Sequence, residues 1–140
     1  DALPISIVLV NIWDAGSARA VHAAGAKALA TGSHPMADMF GVADGETTPM
    51  PQALYMLGQI VGASDLPVSH DIERGYGLHP GHVEQTVRSV ARTGIIGVNM
   101  EDSLSDGTLR DVGEQVQRYV AARAGLDSVC PGGPTDRGSP

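Results

Sequence analysis

Cysteine, aromatic residues and basic residues are all scarce in this sequence. Its 140 residues contain a single cysteine, Cys130, which excludes an internal disulfide and a zinc cluster built from cysteines. Only nine residues are Lys or Arg, against sixteen Asp or Glu, and the net charge is −7. Because the few basic residues are scattered, we expect neither nucleic acid nor an anionic membrane as a partner.

The sequence also lacks a long hydrophobic run. The longest, from Ile5 to Val10, is interrupted by Ser6 and is far too short to cross a bilayer. No basic segment of the kind that opens a secretory signal precedes it, so we expect a cytoplasmic protein. Hydrophobic residues make up 42% and charged residues 18% of the chain, a balance typical of one folded domain with a real core.

What the sequence does contain is a regular alternation of strand and helix patterns. Predicted strands run from Ile5 to Trp13, from Ala26 to Thr31, from Leu66 towards a break at Gly75, and from Ile95 to Met100. Predicted helices run from Ala15 to Ala24, from Pro51 to about Val61, from Pro80 to Ala91, and from about Leu109. Residues 32–48 are predicted to be a long polar loop. Residues 129–140 are predicted to be an irregular Pro/Gly-rich tail, outside a domain of residues 1–128.

Near-continuous apolar strands that alternate with helices indicate an α/β fold with a parallel sheet. Each strand–helix unit occupies roughly 30 residues, as a βαβ repeat requires. Both a doubly wound sheet and a (β/α) barrel fit this pattern, and both bind ligands at the carboxyl ends of their strands. The polar clusters of the sequence fall at those ends.

Two carboxylates, Asp71 and Glu73, lie two residues apart where the third strand ends. Alternate residues of a strand share a face, so these side chains repel each other unless a cation lies between them. With Glu101 after the fourth strand and Asp44 in the polar loop, they form a candidate site for Mg²⁺ or Mn²⁺, which prefer carboxylate and water oxygens. The alternative is a solvated acidic turn in which Arg74 is a surface counter-charge.

Strand alternation adds further residues to the face expected to carry the acids. Asn11 and Trp13 share one face of the first strand, and Thr31 and Ser33 leave the second strand on one face. His34, in the polar loop, is a further candidate contact for a substrate. The segment from Gly75 to Gly81 is only an imperfect dinucleotide-binding motif, and the five histidines lack zinc-binding spacing.

Four segments together resemble the isocitrate lyase / phosphoenolpyruvate mutase family. They occur in that family's order and spacing over roughly residues 5–125. The segments are Asn11-Ile-Trp-Asp-Ala-Gly-Ser-Ala-Arg19, Ala28-Leu-Ala-Thr-Gly-Ser33, Asp71-Ile-Glu-Arg-Gly-Tyr-Gly77 and Gly97-Val-Asn-Met-Glu-Asp-Ser103.

The resemblance implies a (β/α) TIM-type barrel that makes or breaks a C–C or P–C bond in a small α-keto acid or phosphonate. The reaction in this family passes through a species similar to pyruvate enolate and uses Mg²⁺ or Mn²⁺. By position, Asp71 is similar to the family's direct metal ligand, and Asp44, Glu73 and Glu101 to the acids that hold metal-bound water. The substrate's keto acid is expected at Trp13, Thr31, Gly32 and Ser33, partly through backbone N–H groups.

The sequence departs from the family at two places. Where family lyases carry a Lys-Lys-Cys-Gly-His loop, Ser103–Thr108 has neither lysine nor cysteine, and only Thr135-Asp136-Arg137 is similar to the fifth strand. Such barrels need about 250 residues, so the first four units of one, a half-barrel, are expected here. Three interpretations stay open: a truncated lyase or mutase, a non-catalytic remnant, and a small-molecule-binding half-barrel that requires a partner chain. Exposed strand edges predict a homo-oligomer.

Overall fold

Four short parallel strands form the predicted sheet. In the computed structural model, which describes residues 7–129, the strands lie in the order β1-β2-β3-β4. They are β1 (Val10–Ile12), β2 (Leu29–Thr31), β3 (Val68–Asp71) and β4 (Gly97–Asn99). The helices are α1 (Ala15–Ala23), α2 (Ser33–Met39), α3 (Met50–Val61), α4 (Pro80–Ala91) and α5 (Val112–Asp127). The predicted α/β fold, with parallel strands in sequence order as in part of a (β/α) barrel, is confirmed.

The paired strands are shorter than the apolar runs that predicted them. Pairing of β1 with β2 extends only from Val10 opposite Leu29 to Ile12 opposite Thr31. Beyond Ile12 the chain turns at Asp14, whose carboxylate caps α1 by accepting from the backbone N–H of Ser17 at 2.6 Å. Apolar composition therefore overstated the length of each strand. The predicted irregular tail lies almost entirely outside the described residues.

Residues 32–48, predicted to be a loop, contain helix α2. Gly32 has the extended backbone of an N-cap, and Pro35 lies in the first turn, where a missing N–H costs nothing. Met36 and Ala37, further along the helix, are buried. The prediction was wrong because the high density of polar residues concealed this short buried face.

The hydrophobic core lies between one face of the sheet and the helices. Strand register assigns the faces: Val68 lies beside Leu29, and Ser69 beside both Ala30 and Gly97. Val68 and Leu29 therefore face the helices, while Ser69 and Asp71 face the other side. The fully buried core residues are Ile12, Leu29, Leu57, Ile60, Val68, Ile72, Val83, Val87, Val90 and Ile95.

Helix α5 packs on α4 through small and polar residues rather than through its valines. Its buried positions are Gln115, Arg118, Ala121, Ala122 and Gly125. The apolar stripe formed by Val112, Val116, Tyr119 and Val120 is exposed. No helix within residues 7–129 is long and apolar enough to span a membrane.

Candidate functional site

The carboxylate of Asp71 is held by backbone N–H groups where β3 ends. The N–H of Glu73 donates to Oδ1 at 3.0 Å, and the N–H of Ser33 lies 3.4 Å from Oδ2. The N–H of Asp71 itself donates to the hydroxyl of Thr31 at 3.1 Å. The turn after β3, the first residue of α2 and the neighbouring strand β2 therefore fix the position of this carboxylate, and no basic side chain within residues 7–129 is hydrogen-bonded to it.

Glu73 is a buried acid in an acidic setting. Its side chain is only 5% exposed and accepts from the hydroxyl of Tyr76 at 3.0 Å and from the backbone N–H of Glu46. Burial raises the pKa of Glu73, and the nearby charges of Asp44 and Glu46 raise that pKa further. A negative charge that is costly at this position would be stabilised by a nearby cation.

The turn after β3 has an uncommon backbone. Glu73 and Tyr76 have φ values of 49° and 52°, a region that residues other than glycine seldom occupy. Gly75, with φ 101°, lies between them, and a Cβ there would come within 3.0–3.2 Å of Val83, Met100 and Arg118. Packing from α4, β4 and α5 therefore holds the turn in a shape that only glycine permits at its centre.

Glu46 connects the loop before α3 to this turn. Its Oε1 accepts from the backbone N–H of Tyr76 at 2.6 Å, and its Oε2 lies 3.5 Å from Nε of Arg74. Arg74 also donates to the carbonyl of Gly45 at 3.0 Å. Arg74 is therefore an ion-pair partner of Glu46 rather than a free surface counter-charge to Asp71. Sequence reasoning missed Glu46 and Tyr76 as site residues, although Glu46 was part of the polar loop that it noted.

Asp44 and Glu101 flank this site from neighbouring loops. Asp44 lies 3.8 Å from His34, which also pairs with Asp38 at 3.4 Å. Glu101 follows β4 at the same edge as Asp71, because Asp71 is paired with Asn99, and its carboxylate accepts from the hydroxyl of Ser103 at 2.8 Å. His34 therefore contacts one acid of its own helix, Asp38, and one acid of the loop that follows, Asp44.

The donor chemistry of these acids fits a hard divalent cation, since all four present carboxylate oxygens. Across residues 7–129, however, no three His, Cys, Asp or Glu side chains lie close enough together to hold a metal ion. The four-residue metal site at Asp71, Asp44, Glu73 and Glu101 therefore stays a prediction.

The residues predicted to receive a substrate are only partly brought together. Ser33 shares a narrow cleft of about 10 Å³ with Asp71, Glu73 and Tyr76. Trp13, which is 41% exposed, lines a different surface cleft beside Asn11. The backbone N–H of Gly32 is already bonded to the carbonyl of Ile12 at 3.1 Å.

Thr31 lies on the opposite face from Asp71, so its expected place beside the acids is wrong. The register between β2 and β3 pairs Leu29 with Val68. Thr31 therefore lies beside His70 on the face of the sheet that the helices cover. The Thr31 hydroxyl lies 2.7 Å from Nδ1 of His70, and both side chains are buried. Burial lowers the pKa of His70 to about 4, although the charge of Asp71 opposes this, so the imidazole is neutral near pH 7.

A family model described as phosphoenolpyruvate phosphomutase matches residues 3–129. Among solved structures, a provisionally named phosphonomutase from Burkholderia cenocepacia J2315 is 50% identical with a TM-score of 0.83, covering 87% of this chain and 50% of that one. A provisionally named lyase/mutase from the same organism is 33% identical with a TM-score of 0.78, covering 92% of this chain and 46% of that one.

A phosphonopyruvate hydrolase, solved as a complex with oxalate and Mg²⁺, is 20% identical with a TM-score of 0.78, covering 85% of this chain and 43% of that one. At that identity it supports the fold alone. A comparison with curated proteins finds no match. The chain spans about half the length of these solved structures. The match over residues 3–129 and the identity of 50% confirm the resemblance: the chain belongs to the phosphoenolpyruvate phosphomutase family, in the superfamily of phosphoenolpyruvate mutase and isocitrate lyase.

Proposed function

We propose that this chain carries the metal-binding part of a Mg²⁺-dependent lyase or mutase that acts on a small α-keto acid or phosphonate. The observation that supports this most directly is the carboxylate of Asp71, which backbone N–H groups fix at the end of β3 and to which no basic side chain of the described residues is hydrogen-bonded. The superfamily includes mutases, lyases and hydrolases. Among the reactions of these enzymes, we propose cleavage or rearrangement of a C–C or P–C bond through a pyruvate-enolate-like intermediate.

In this proposal Asp71 binds Mg²⁺, or Mn²⁺, directly, and Asp44, Glu73 and Glu101 hold the water molecules around it. When bound, the ion would act as a Lewis acid that polarises the substrate's carbonyl. Glu73 is suited to an outer role, because Tyr76 and the N–H of Glu46 already occupy both of its oxygens. Burial and hydrogen bonding keep the Tyr76 hydroxyl protonated by raising its pKa, so it donates to Glu73.

The substrate is proposed to lie against the segment from Thr31 to Ser33, with Trp13 at its edge. Ser33 is the member of this set whose backbone N–H points at Asp71, so it is placed to position a ligand beside the metal. Thr31 would contribute through the hydrogen bond that its hydroxyl accepts from Asp71, since its side chain lies on the opposite face.

A second candidate function is binding without turnover, either as a remnant or as a half-barrel completed by another chain. The loop Ser103–Thr108 holds neither lysine nor cysteine, so it offers no general acid or nucleophile of the kind that family lyases carry there. Exposed apolar residues on α5 and beside β4 favour self-association, with a second copy as the partner.

Metal binding is tested by calorimetric titration with Mg²⁺ and Mn²⁺. Removing the proposed direct ligand in Asp71→Ala should weaken metal binding more than about 100-fold. Glu73→Gln, which changes an outer acid, should weaken binding about tenfold. Asp65→Ala is the matched control, because Asp65 is an exposed acid at the other end of the same strand.

Equal metal affinities of the wild type and Asp71→Ala would contradict the assignment, and an equal loss in Asp65→Ala would reduce it to a general charge effect. Release of pyruvate from oxaloacetate and from phosphonopyruvate then separates the two candidate functions. Mg²⁺-dependent release that Asp71→Ala abolishes supports the enzyme. Metal binding without release supports the binding domain.

A further inference from the structure

A separate cleft of about 320 Å³ lies between the turn that follows β3 and the loop that precedes α5. Its walls include Arg74, Arg110 and Arg118 beside one acid, Glu46, and we call it the arginine cleft. Three of the nine Lys and Arg residues of an acidic chain therefore line one cavity. Such a concentration of positive charge is the ordinary electrostatic requirement of an anion-binding site.

Arg118 is the central observation, because it is completely buried and has no ion-pair partner within residues 7–129. Its Nη2 donates to the carbonyl of Gly77 at 2.9 Å and to that of Arg74. Its Nε and Nη1 have no hydrogen-bond partner within residues 7–129. A buried guanidinium that only two carbonyls stabilise is costly, and a nearby negative charge would lower that cost.

The other two arginines are each balanced by one acid. Arg110 lies 2.6 Å from Glu114, four residues along, and its buried Nε has no partner among the described residues. Arg74 pairs with Glu46 at 3.5 Å. Three guanidinium groups therefore face two carboxylates, and one positive charge is left over. Burial and the charge of Arg110 lower the pKa of Arg118, while the charges of Glu114 and Glu46 oppose this shift.

We propose that the arginine cleft binds a small oxyanion, with a carboxylate or a phosphate-type group as the recognised chemistry. Guanidinium groups bind both through paired N–H donors. The N–H groups of Arg110 would donate to the anion, and the uncompensated charge of Arg118 would attract it. Leu78 and Leu104 give the cleft apolar walls, so a short carbon chain attached to the anion also fits.

Binding there would also stabilise the candidate metal site indirectly. Arg118 holds the carbonyls of Arg74 and Gly77, which follow Glu73 in the same turn. An anion that keeps Arg118 in place therefore keeps this turn in place. The arginine cleft does not include Asp71 or Ser33, so anion binding does not depend on the proposed function.

The test is calorimetric titration of the whole chain with inorganic phosphate and with malonate, at low ionic strength and with EDTA present. EDTA removes divalent ions, so anion binding through a metal cannot contribute. Saturable binding is expected to weaken as salt is added. Tighter binding of phosphate would identify a phosphate-type ligand, and tighter binding of malonate a carboxylate.

Arg110→Gln should weaken anion binding about tenfold, because it removes one charged donor at the cleft. Arg123→Gln is the matched control, since Arg123 lies on the exposed surface of α5 and also pairs with an acid four residues along, Asp127, at 2.9 Å. Arg110 is chosen because replacing the completely buried Arg118 would endanger folding.

A second readout reports on Arg118 directly. The ¹H–¹⁵N resonance of its Nε should shift on anion addition in step with the calorimetric saturation, while that of Arg123 stays in place. The proposal is overturned if neither anion binds, or if Arg110→Gln and Arg123→Gln lose the same affinity. A resonance of Arg118 Nε that does not respond would also overturn it.

Discussion

At the scale of single residues, the most informative finding is the buried pair of Thr31 and His70. The hydroxyl of Thr31 contacts Nδ1 of His70 and accepts from the N–H of Asp71, so one side chain serves two buried groups. Sequence alternation predicted Thr31 on the face of the acids. It could not reveal the register between β2 and β3, which places Thr31 on the other face.

Replacing Thr31 tests how far this pair supports the site. Thr31→Val keeps the shape of the side chain but leaves His70 Nδ1 and the Asp71 N–H without a partner, so the free energy of unfolding should fall by about 1–3 kcal/mol. Thr31→Ser, which keeps the hydroxyl, should restore most of that loss. Urea denaturation at pH 7 measures both variants.

Thr108→Val is the control for this experiment, because the Thr108 hydroxyl donates to the exposed Asp106 and its loss should change stability by less than about 0.5 kcal/mol. Equal stabilities of Thr31→Val and the wild type would show that the pair contributes nothing. Equal stabilities would also show that the position of Asp71 does not depend on the pair of Thr31 and His70.

At the scale of helices and strands, the sequence predicted the order and type of the elements well but their packing poorly. Alternating apolar strands and helices with Pro or Asp at their starts were enough to predict four parallel βα units. Helix α2 was missed, since seven residues carry too little periodicity to stand out from a polar segment. The apolar stripe of α5 can be seen in the sequence. The residue pattern of one helix does not show which side packs against a neighbouring helix, and here small residues of α5 face α4.

The contact between α4 and α5 depends on Gly125, where the sequence gives no special signal. A Cβ at this position would lie 2.7 Å from the carbonyl oxygen of Glu84 and 3.0 Å from Cβ of Val87. Gly125→Ala should therefore push the helices apart and lower the free energy of unfolding by about 1–3 kcal/mol. Thermal or urea denaturation measures the loss.

Gly58→Ala in α3 is the matched control with the opposite expected sign. A Cβ at Gly58 meets no atom within 4 Å, so the higher helix propensity of alanine should raise stability by roughly 0.5–1 kcal/mol. If both substitutions stabilise the protein, the close approach of α4 and α5 at Gly125 is not a constraint in solution.

At the scale of the whole molecule, β1 and β4 are the two edges of the described sheet. Ile96, just before β4, is 66% exposed, and the valine stripe of α5 lies in solvent. The sequence predicted these exposed edges, because four βα units supply only half of the strands of a barrel. The candidate metal site could be predicted only as a set of residues, since its geometry depends on loop positions that short-range patterns do not determine.

We predict that copies of the protein associate in solution through the exposed apolar stripe of α5. Light scattering at micromolar concentration should show particles larger than a monomer. Val116→Lys, which places a charge in the stripe formed by Val112, Val116, Tyr119 and Val120, should shift the distribution towards monomer because the apolar contact loses its driving force. Tyr55→Lys is the control: Tyr55 is 66% exposed on α3, outside the stripe, so it should leave the distribution unchanged. A wild-type chain that stays monomeric, or an equal shift in both variants, would show that the stripe of α5 is not the surface through which copies associate.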